Sequence, residues 1–261
     1  MADEQAQVSG ATASETNAPK AVAGSRVRDL KDFLVGELLE RGEWVVANVE
    51  TTSYWPVTAQ KIAFFGEVVW IFPITHKHYP AVVMKMRHGQ DRAACERLLM
   101  RFLSVLSWVT GHGISADGIG GGSLPVPMGR EKTMGFSITE EFDLSYFPEP
   151  QDEKALLALA LMREGRGLNH PGYAFLSFYR VLEVAFPNGQ ARGQWISQEV
   201  NGLTGIGIKE ALGKITAAGI TDVGVHLRDS GRRAMAHARE RNRSSIPTIL
   251  RTRAGSVMSC P

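Results

Sequence analysis

Residues 171–186 read PGYAFLSFYRVLEVAF, and this stretch decides the fold of the C-terminal half. A proline suits the first turn of a helix, because the N–H that it lacks has no partner there. The apolar residues then recur at helical spacing, and Pro187-Asn188-Gly189 interrupts the pattern. The sequence therefore predicts a helix from Pro171 through Phe186 whose apolar side belongs to a core.

Four more helices are predicted around this one, at 152–164, 194–200, 208–218 and 223–241. Asp152 and Asp222 each stand at the start of a helix, where a carboxylate can accept hydrogen bonds from free backbone N–H groups. Gly165 and Gly167 end the first of the four. Residues 151–243 are therefore expected to form an all-helical domain.

The residues before this region have a different pattern. Short runs of aromatic and β-branched residues predict strands at Trp44–Glu50, Ala59–Phe65, Val68–Phe72 and Pro80–Met86, with a last strand at Met134–Phe142. Helices are expected from Leu30 to Leu39 and from Gln90 to Thr110. The strand signals stop at Phe147-Pro148-Glu149-Pro150, which we interpret as a linker. The fold class is therefore α+β, with a mixed domain at 26–147.

Three further segments are predicted to be irregular. Residues 1–25 have almost no large apolar side chain and are expected to form a disordered tail, and residues 244–261 a flexible one. The glycine-rich stretch 111–129 is expected to be a long loop. Its Asp117–Ser123 segment lacks the Gly-Lys-Ser/Thr ending of a phosphate-binding loop, so a flexible connection is the favoured interpretation.

The composition is that of a globular protein, with 44% hydrophobic and 21% charged residues in 261. It excludes a wholly disordered chain, a collagen-like repeat and a coiled-coil rod. Two cysteines, Cys95 and Cys260, are too few for a disulfide scaffold. No apolar run is long enough to span a membrane, and no secretory signal opens the chain, so we expect a cytoplasmic protein.

Charge is unevenly distributed along the chain. Residues 222–261 contain eight arginines, no lysine and three acidic residues, whereas the whole chain has a net charge of only +2. A basic end on an otherwise acidic protein indicates binding to a polyanion.

Metal and serine-hydrolase chemistry have weak support. His76 and His78 alternate and could face one side of a strand near His88, but no further ligand stands at a recognisable spacing. No Gly-x-Ser-x-Gly motif is present, although a triad can assemble from distant residues. We expect neither a metal nor a cofactor.

The final helix has an unusual combination of side chains. At about 100° per residue, His226, Ser230, Arg233 and His237 form one stripe. A histidine can take the proton of a ribose 2′-hydroxyl while an arginine holds the phosphate, so the stripe could support metal-independent RNA cleavage. A basic, solvated helix face with one hydrogen-bonded histidine would explain the same spacing.

Two motifs in this region resemble those of a known family. Arg232-x4-His237 resembles the R-x4-H motif of HEPN domains (higher eukaryotes and prokaryotes nucleotide-binding), and Tyr173–Glu183 resembles their aromatic-rich helix. With the preceding Gly167–Pro171, the stretch is most similar to MauJ-like proteins found near methylamine-utilisation genes. The resemblance covers residues 152–243.

The resemblance implies a helical bundle that forms a homodimer and cuts RNA without a metal, often as a toxin or phage-defence effector. An inhibitory or triggering protein partner fits that role. By the resemblance, Arg232 contacts the scissile phosphate, His237 is the general acid and base, and Glu183 assists. A structural ion pair between Arg180 and Glu183 is an equally good interpretation of Glu183. RNA contacts are expected from the neighbouring residues His226, Ser230, Arg239 and Arg241.

The chain departs from the family pattern after the arginine. Family members usually have Asn, Asp or His there, and this chain has Arg233. In an ideal helix Arg232 lies about 140° from His237 and Arg233 about 40°. Either the helix is irregular at Gly231 or Arg233 binds the phosphate. A non-catalytic, nucleotide-binding or protein-binding HEPN-like module is the alternative function.

Overall fold

The computed structural model describes residues 29–51, 54–129, 140–199, 202–203 and 206–244. An antiparallel sheet with one long helix comes first along the chain, and a group of helices follows. The α+β fold class predicted from the sequence is therefore confirmed.

The sheet has five strands in the order β2-β3-β4-β1-β5, and every neighbouring pair is antiparallel. The first four strands lie within one residue of their predicted bounds. The five strands are β1 (Trp44–Thr51), β2 (Gln60–Phe64), β3 (Glu67–Phe72), β4 (Ala81–Lys85) and β5 (Ile114–Gly122).

The fifth strand corrects one prediction, because it lies inside the stretch expected to be a loop. β5 pairs with β1 at the edge of the sheet, across a register shift next to Asn48. The Asn48 side chain donates to the Gly118 carbonyl at 3.2 Å. A Cβ atom on Gly121 would overlap the Trp44 carbonyl oxygen, so glycine is needed there for the close approach. Tertiary pairing thus overrides the low strand propensity of glycine.

The main core lies between the sheet and helix α1, Arg92–Thr110. The Asp91 carboxylate accepts from the Ala93 and Ala94 N–H groups at the start of α1. Gly111 ends the helix in the left-handed conformation, with φ of 77°. The buried apolar side chains between α1 and the sheet include Phe64, Val82, Leu99, Phe102, Leu103 and Leu106.

The other face of the sheet is covered by the segment before β1. The predicted helix from Leu30 to Leu39 is wrong in form: the chain makes two 3₁₀ turns instead, Leu30–Asp32 and Gly36–Leu39. Gly36 has φ of 56°, a left-handed conformation that interrupts a right-handed helix. Leu38 from the second turn still packs against buried strand residues, as expected of an apolar position.

Five helices follow the sheet within the described residues, and each predicted helix of this half is present. They are α2 (Glu153–Gly167), α3 (Pro171–Ala185), α4 (Gly189–Glu199), α5 (Ile206–Ala217) and α6 (Val223–Ser244). The Asp152 carboxylate accepts from the Lys154 N–H at 3.1 Å, as predicted for a helix cap. α4 begins earlier than predicted, because Asn188 caps it by accepting from Gln190 N at 2.8 Å.

Helix α2 joins the two halves by packing against α1 and β5. Arg163 Nε donates to Ser104 Oγ at 3.2 Å, and Arg166 donates to the Ser107 carbonyl. A Cβ atom on Gly113 would overlap the Arg166 carbonyl oxygen. The division into separate domains at 26–147 and 151–243 stays a prediction.

Some predicted segments lie outside the described residues. They are the N-terminal tail at 1–25, residues 134–139 of the predicted last strand, and the C-terminal tail beyond Ser244. Residues 140–142 are described and are not in a strand. Among the helices in the described ranges, none combines the length and apolar character that a membrane crossing requires.

The close approach at β5 gives a stability prediction. Gly121→Ala should lower the free energy of unfolding by about 1–3 kcal/mol, because the new Cβ meets a fixed backbone carbonyl. Urea unfolding followed by circular dichroism would measure it. Gly120→Ala is the matched control, since its Cβ would meet nothing within 4 Å. Equal stability of the two variants would contradict the proposed packing.

Candidate nucleic-acid interface

Helix α6 carries most of the candidate site and is continuous through Gly231. The Asp222 carboxylate accepts from Val225 N at 2.8 Å, which confirms the predicted cap. Because the helix has no interruption at Gly231, ordinary α-helical geometry relates the residues before and after it. Arg233 and His237 are thus neighbours four residues apart, whereas Arg232 points about 140° away from His237.

Two glycines define the side of α6 that packs inward. A Cβ atom on Gly231 would overlap the Tyr179 ring of α3. A Cβ atom on Gly224 would lie 2.8 Å from the Ser197 Cα of α4. Both positions therefore need glycine so that α6 can approach its two neighbours.

Tyr179 of α3 is buried, and so is Arg192 of α4, which lies beside it. Arg192 Nε donates to the Tyr179 hydroxyl at 3.3 Å, and the guanidinium lies 5.2 Å from the Tyr179 ring centroid. Arg192 Nη1 also donates to the Phe186 carbonyl at 2.9 Å. The Glu183 carboxylate completes the group with an ion pair to Arg192 Nη2 at 3.4 Å. Glu183 is thus engaged in the bundle, where its charge compensates a buried guanidinium.

The predicted stripe lies on another side of α6. Arg233 and His237 are exposed, and they stand about 160° and 120° around the helix from Gly231. His226 and Ser230 are half-buried, with His226 Nε2 and Ser230 Oγ 3.5 Å apart. The structure therefore brings these four residues onto one face, with an imidazole and a guanidinium both accessible at one end.

Arg232 belongs to a separate cleft between α4 and α6. The cleft has a volume of about 400 Å³, and Arg228 and Arg232 form its α6 wall. Its α4 wall has three glutamines spaced four residues apart, with Ser197 between the last two; they are Gln190, Gln194 and Gln198. Guanidinium and amide groups together suit a ligand with phosphate oxygens and hydrogen-bonding edges.

One carboxylate stands among the α6 arginines. Arg228 Nε donates to Asp229 Oδ1 at 3.0 Å. This hydrogen bond, with the nearby charges of Arg228, Arg232 and Arg233, holds the pKa of Asp229 below its usual value. The same hydrogen bond raises the pKa of Arg228. Asp229 therefore remains ionised at neutral pH and offsets part of the local positive charge.

Sequence reasoning missed three features of this region: Arg192, Arg228 and the glutamine row on α4. The row has a visible signal, since its members recur every four residues. Arg192 gave no such signal in the sequence, because the burial of a charged side chain depends on tertiary contacts that local sequence patterns do not reveal. The side chains of Arg239 and Arg241 lie outside the described residues.

No group of three or more His, Cys, Asp or Glu residues within the described ranges could hold a metal ion. His76, His78 and His88, the candidate ligands named from the sequence, therefore form no such group.

One comparison with known proteins found a match, and it lies in the helical half. The family model described as "Methylamine utilization protein MauJ" matches residues 158–253. That segment begins inside α2 and includes the whole of α3 to α6. The helical half is thus similar to the MauJ family, although the match covers less than half of the chain. Comparisons with curated proteins and with solved structures found no match.

The approach of α6 to α3 can be tested through its glycine. Gly231→Ala should lower the free energy of unfolding of the helical half by about 1–3 kcal/mol, because the new methyl group meets the buried Tyr179 ring. Chemical denaturation followed by helical circular dichroism would measure the loss. Gly213→Ala in α5 is the control, where nothing lies within 4 Å and a higher helix propensity should stabilise slightly. A Gly231→Ala variant as stable as this control would disprove the contact.

Proposed function

We propose that the protein is a metal-independent endoribonuclease of the HEPN type. The observation that supports this most is the exposed Arg233–His237 pair on α6, inside the segment that matches the MauJ family. An imidazole and a guanidinium four residues apart can reach the same phosphodiester group.

In this proposal His237 begins the reaction as a neutral base. It removes the proton of a ribose 2′-hydroxyl, and the 2′-oxygen attacks the adjacent phosphorus. The bond from phosphorus to the 5′-oxygen breaks, and a protonated imidazole gives its proton to that oxygen. The products are a 2′,3′-cyclic phosphate and a free 5′-hydroxyl. Arg233 would stabilise the charge that develops on the phosphate oxygens.

The cleft between α4 and α6 would hold the RNA strand beside the cut. Arg228 and Arg232 supply charge for a phosphate group, and the glutamine side chains supply amide donors and acceptors for base edges. His226, Ser230, Arg239 and Arg241 remain proposed RNA contacts. This arrangement gives Arg232 a role in binding and assigns the reacting phosphate to Arg233.

Glu183 would assist as a positioning residue. Its carboxylate pairs with Arg192, which donates to Tyr179 beneath Gly231. Loss of that charge would therefore change the position of α4 relative to α3, the helix on which α6 packs. In this proposal Glu183 does not contact the RNA and acts on it only by positioning the helices.

A homodimer through the helical half belongs to the same proposal. Several apolar side chains of this half are exposed in the single chain: Tyr173, Phe178, Trp195 and Leu203. Burial of such side chains against a second copy would be favourable. A second copy would also supply another His237 as the general acid. A toxin or phage-defence effector of this kind would work with an inhibitory or triggering protein partner.

A non-catalytic nucleotide-binding module is the second candidate. One observation favours it: Arg232 of the R-x4-H motif lines a cleft on another side of α6 from His237. In that case the α4–α6 cleft binds a nucleotide and His237 has no chemical role.

Cleavage of mixed RNA in the presence of EDTA separates the two candidates. His237→Ala should lower the cleavage rate by about 10²–10⁴-fold, because the variant lacks the general base. Arg233→Ala should lower kcat by about 10²–10³-fold through loss of transition-state stabilisation. Arg232→Ala should act mainly on KM. His88→Ala, an exposed histidine of the sheet half, is the control. Activity that survives His237→Ala, or wild type that binds RNA without cutting it, would reject the nuclease.

RNA binding itself gives a second test. In a His237→Ala background that prevents cleavage, Kd for a single-stranded RNA should rise steeply with salt. Adding Arg232→Ala should reduce the slope of log Kd against log salt by about 0.7, the value for one lost phosphate contact. Fluorescence anisotropy would measure it. Arg97→Ala, an exposed arginine on α1, should leave the slope unchanged; an equal change would mean that Arg232 makes no specific phosphate contact.

A further inference from the structure

A second cleft, unrelated to the RNA site, lies where the two halves meet. It has a volume of about 510 Å³, within the range of small-molecule sites. Its walls come from α1 and β5 on one side and from α2 and α3 on the other. The apolar part of its lining comprises Met100, Ile114, Ala116, Leu157, Ala160 and Leu161.

Two arginines line the same cleft. Arg163 on α2 is half-buried, and its Nε is held by Ser104 Oγ at 3.2 Å. Its two terminal NH₂ groups have no carboxylate or carbonyl acceptor within the described part of the chain. Arg180 on α3 is exposed and likewise has no ion-pair partner in those ranges. Among the lining residues that the structure describes, Glu164 is the one carboxylate, so this part of the cleft has an excess of positive charge.

Burial makes the Arg163 charge costly without a partner. Desolvation lowers the pKa of Arg163, and the charge of the adjacent Glu164 only partly opposes this. A guanidinium stays protonated in spite of burial and gains strongly from an anion placed against its free N–H groups. A neutral ligand would leave the positive charge of these groups uncompensated, and a cation would be repelled.

We propose that this cleft binds a small organic anion with an apolar body, of the carboxylate or sulfonate class. Arg163 and Arg180 hold the anionic group, and the apolar lining contacts the rest of the ligand. The ligand touches both halves of the chain, so its binding stabilises their contact. The proposal does not depend on the nuclease.

Fluorescence of 1-anilinonaphthalene-8-sulfonate tests the site in the full chain, because this sulfonate brightens in apolar surroundings. We expect saturable binding that decanoate displaces. Decylammonium and decan-1-ol, of the same chain length, should displace the probe at least tenfold less well. Decanoate should also raise the Tm of the protein, since it binds the folded state.

Substitutions at Leu157 locate the probe and test the charge together. Leu157 lines the cleft and is 50% exposed, so a change there leaves the core intact. Leu157→Glu should weaken binding of the probe and of decanoate by about fivefold, whereas Leu157→Lys should not weaken it. Glu and Lys have similar helix propensities, which makes the pair a matched control.

The arginines are tested in the same assay. Arg180→Gln should weaken decanoate binding by about tenfold, and Arg163→Gln by at least as much. Arg41→Gln, an exposed arginine of the sheet half, should have no effect. If Arg163→Gln does not fold, the affinities of Arg180→Gln and of the two Leu157 variants test the proposal without it. Equal affinities in Leu157→Glu and Leu157→Lys, or equal displacement by decylammonium and decanoate, would overturn the proposal.

Discussion

The contact between the Tyr179 ring and Gly231 fixes the geometry on which the candidate site depends. The ring occupies the volume that a side chain at Gly231 would fill, and it brings α3 and α6 close together. The buried Arg192 then ties α4 to the same ring through its hydroxyl and its π face. Because one side of α6 is fixed in this way, helical periodicity sets the direction in which each remaining residue of α6 points.

In the proposed nuclease, those directions separate the surface that binds RNA from the surface that reacts with it. Arg228 and Arg232 face α4 and form a basic wall, while Arg233 and His237 stand on a different, exposed side of α6. The short motif R-x4-H therefore combines two surfaces in one helix. The doubled arginine of this chain makes that possible, because one guanidinium is available to each surface. Asp229, held ionised by Arg228, limits the repulsion within the group.

The sequence predicted those parts that depend on local periodicity and capping. All of these are properties of residues close together in the chain: the apolar spacing of α3, the carboxylate at Asp222 and the helical spacing of the stripe residues on α6. β5 was missed because its glycines have low strand propensity on their own and are ordered only by pairing with β1. The role of Arg192 was missed because Tyr179 and Glu183 surround it only after α3 and α4 have packed together. Likewise, Gly36 by itself does not predict that the leucine-rich segment around it forms two 3₁₀ turns.

β5 is an edge strand of the sheet, so its outer side is open to pairing with another strand. An edge strand presents unpaired backbone groups to any other extended chain. Here α2 lies against the beginning of that edge, where Gly113 meets the Arg166 backbone and Gly167 approaches Ser115. The remainder of β5 is largely glycine, which has no side chain for a foreign strand to pack upon. The helical half therefore covers the beginning of this edge, and the glycines make the rest a poor surface for another strand.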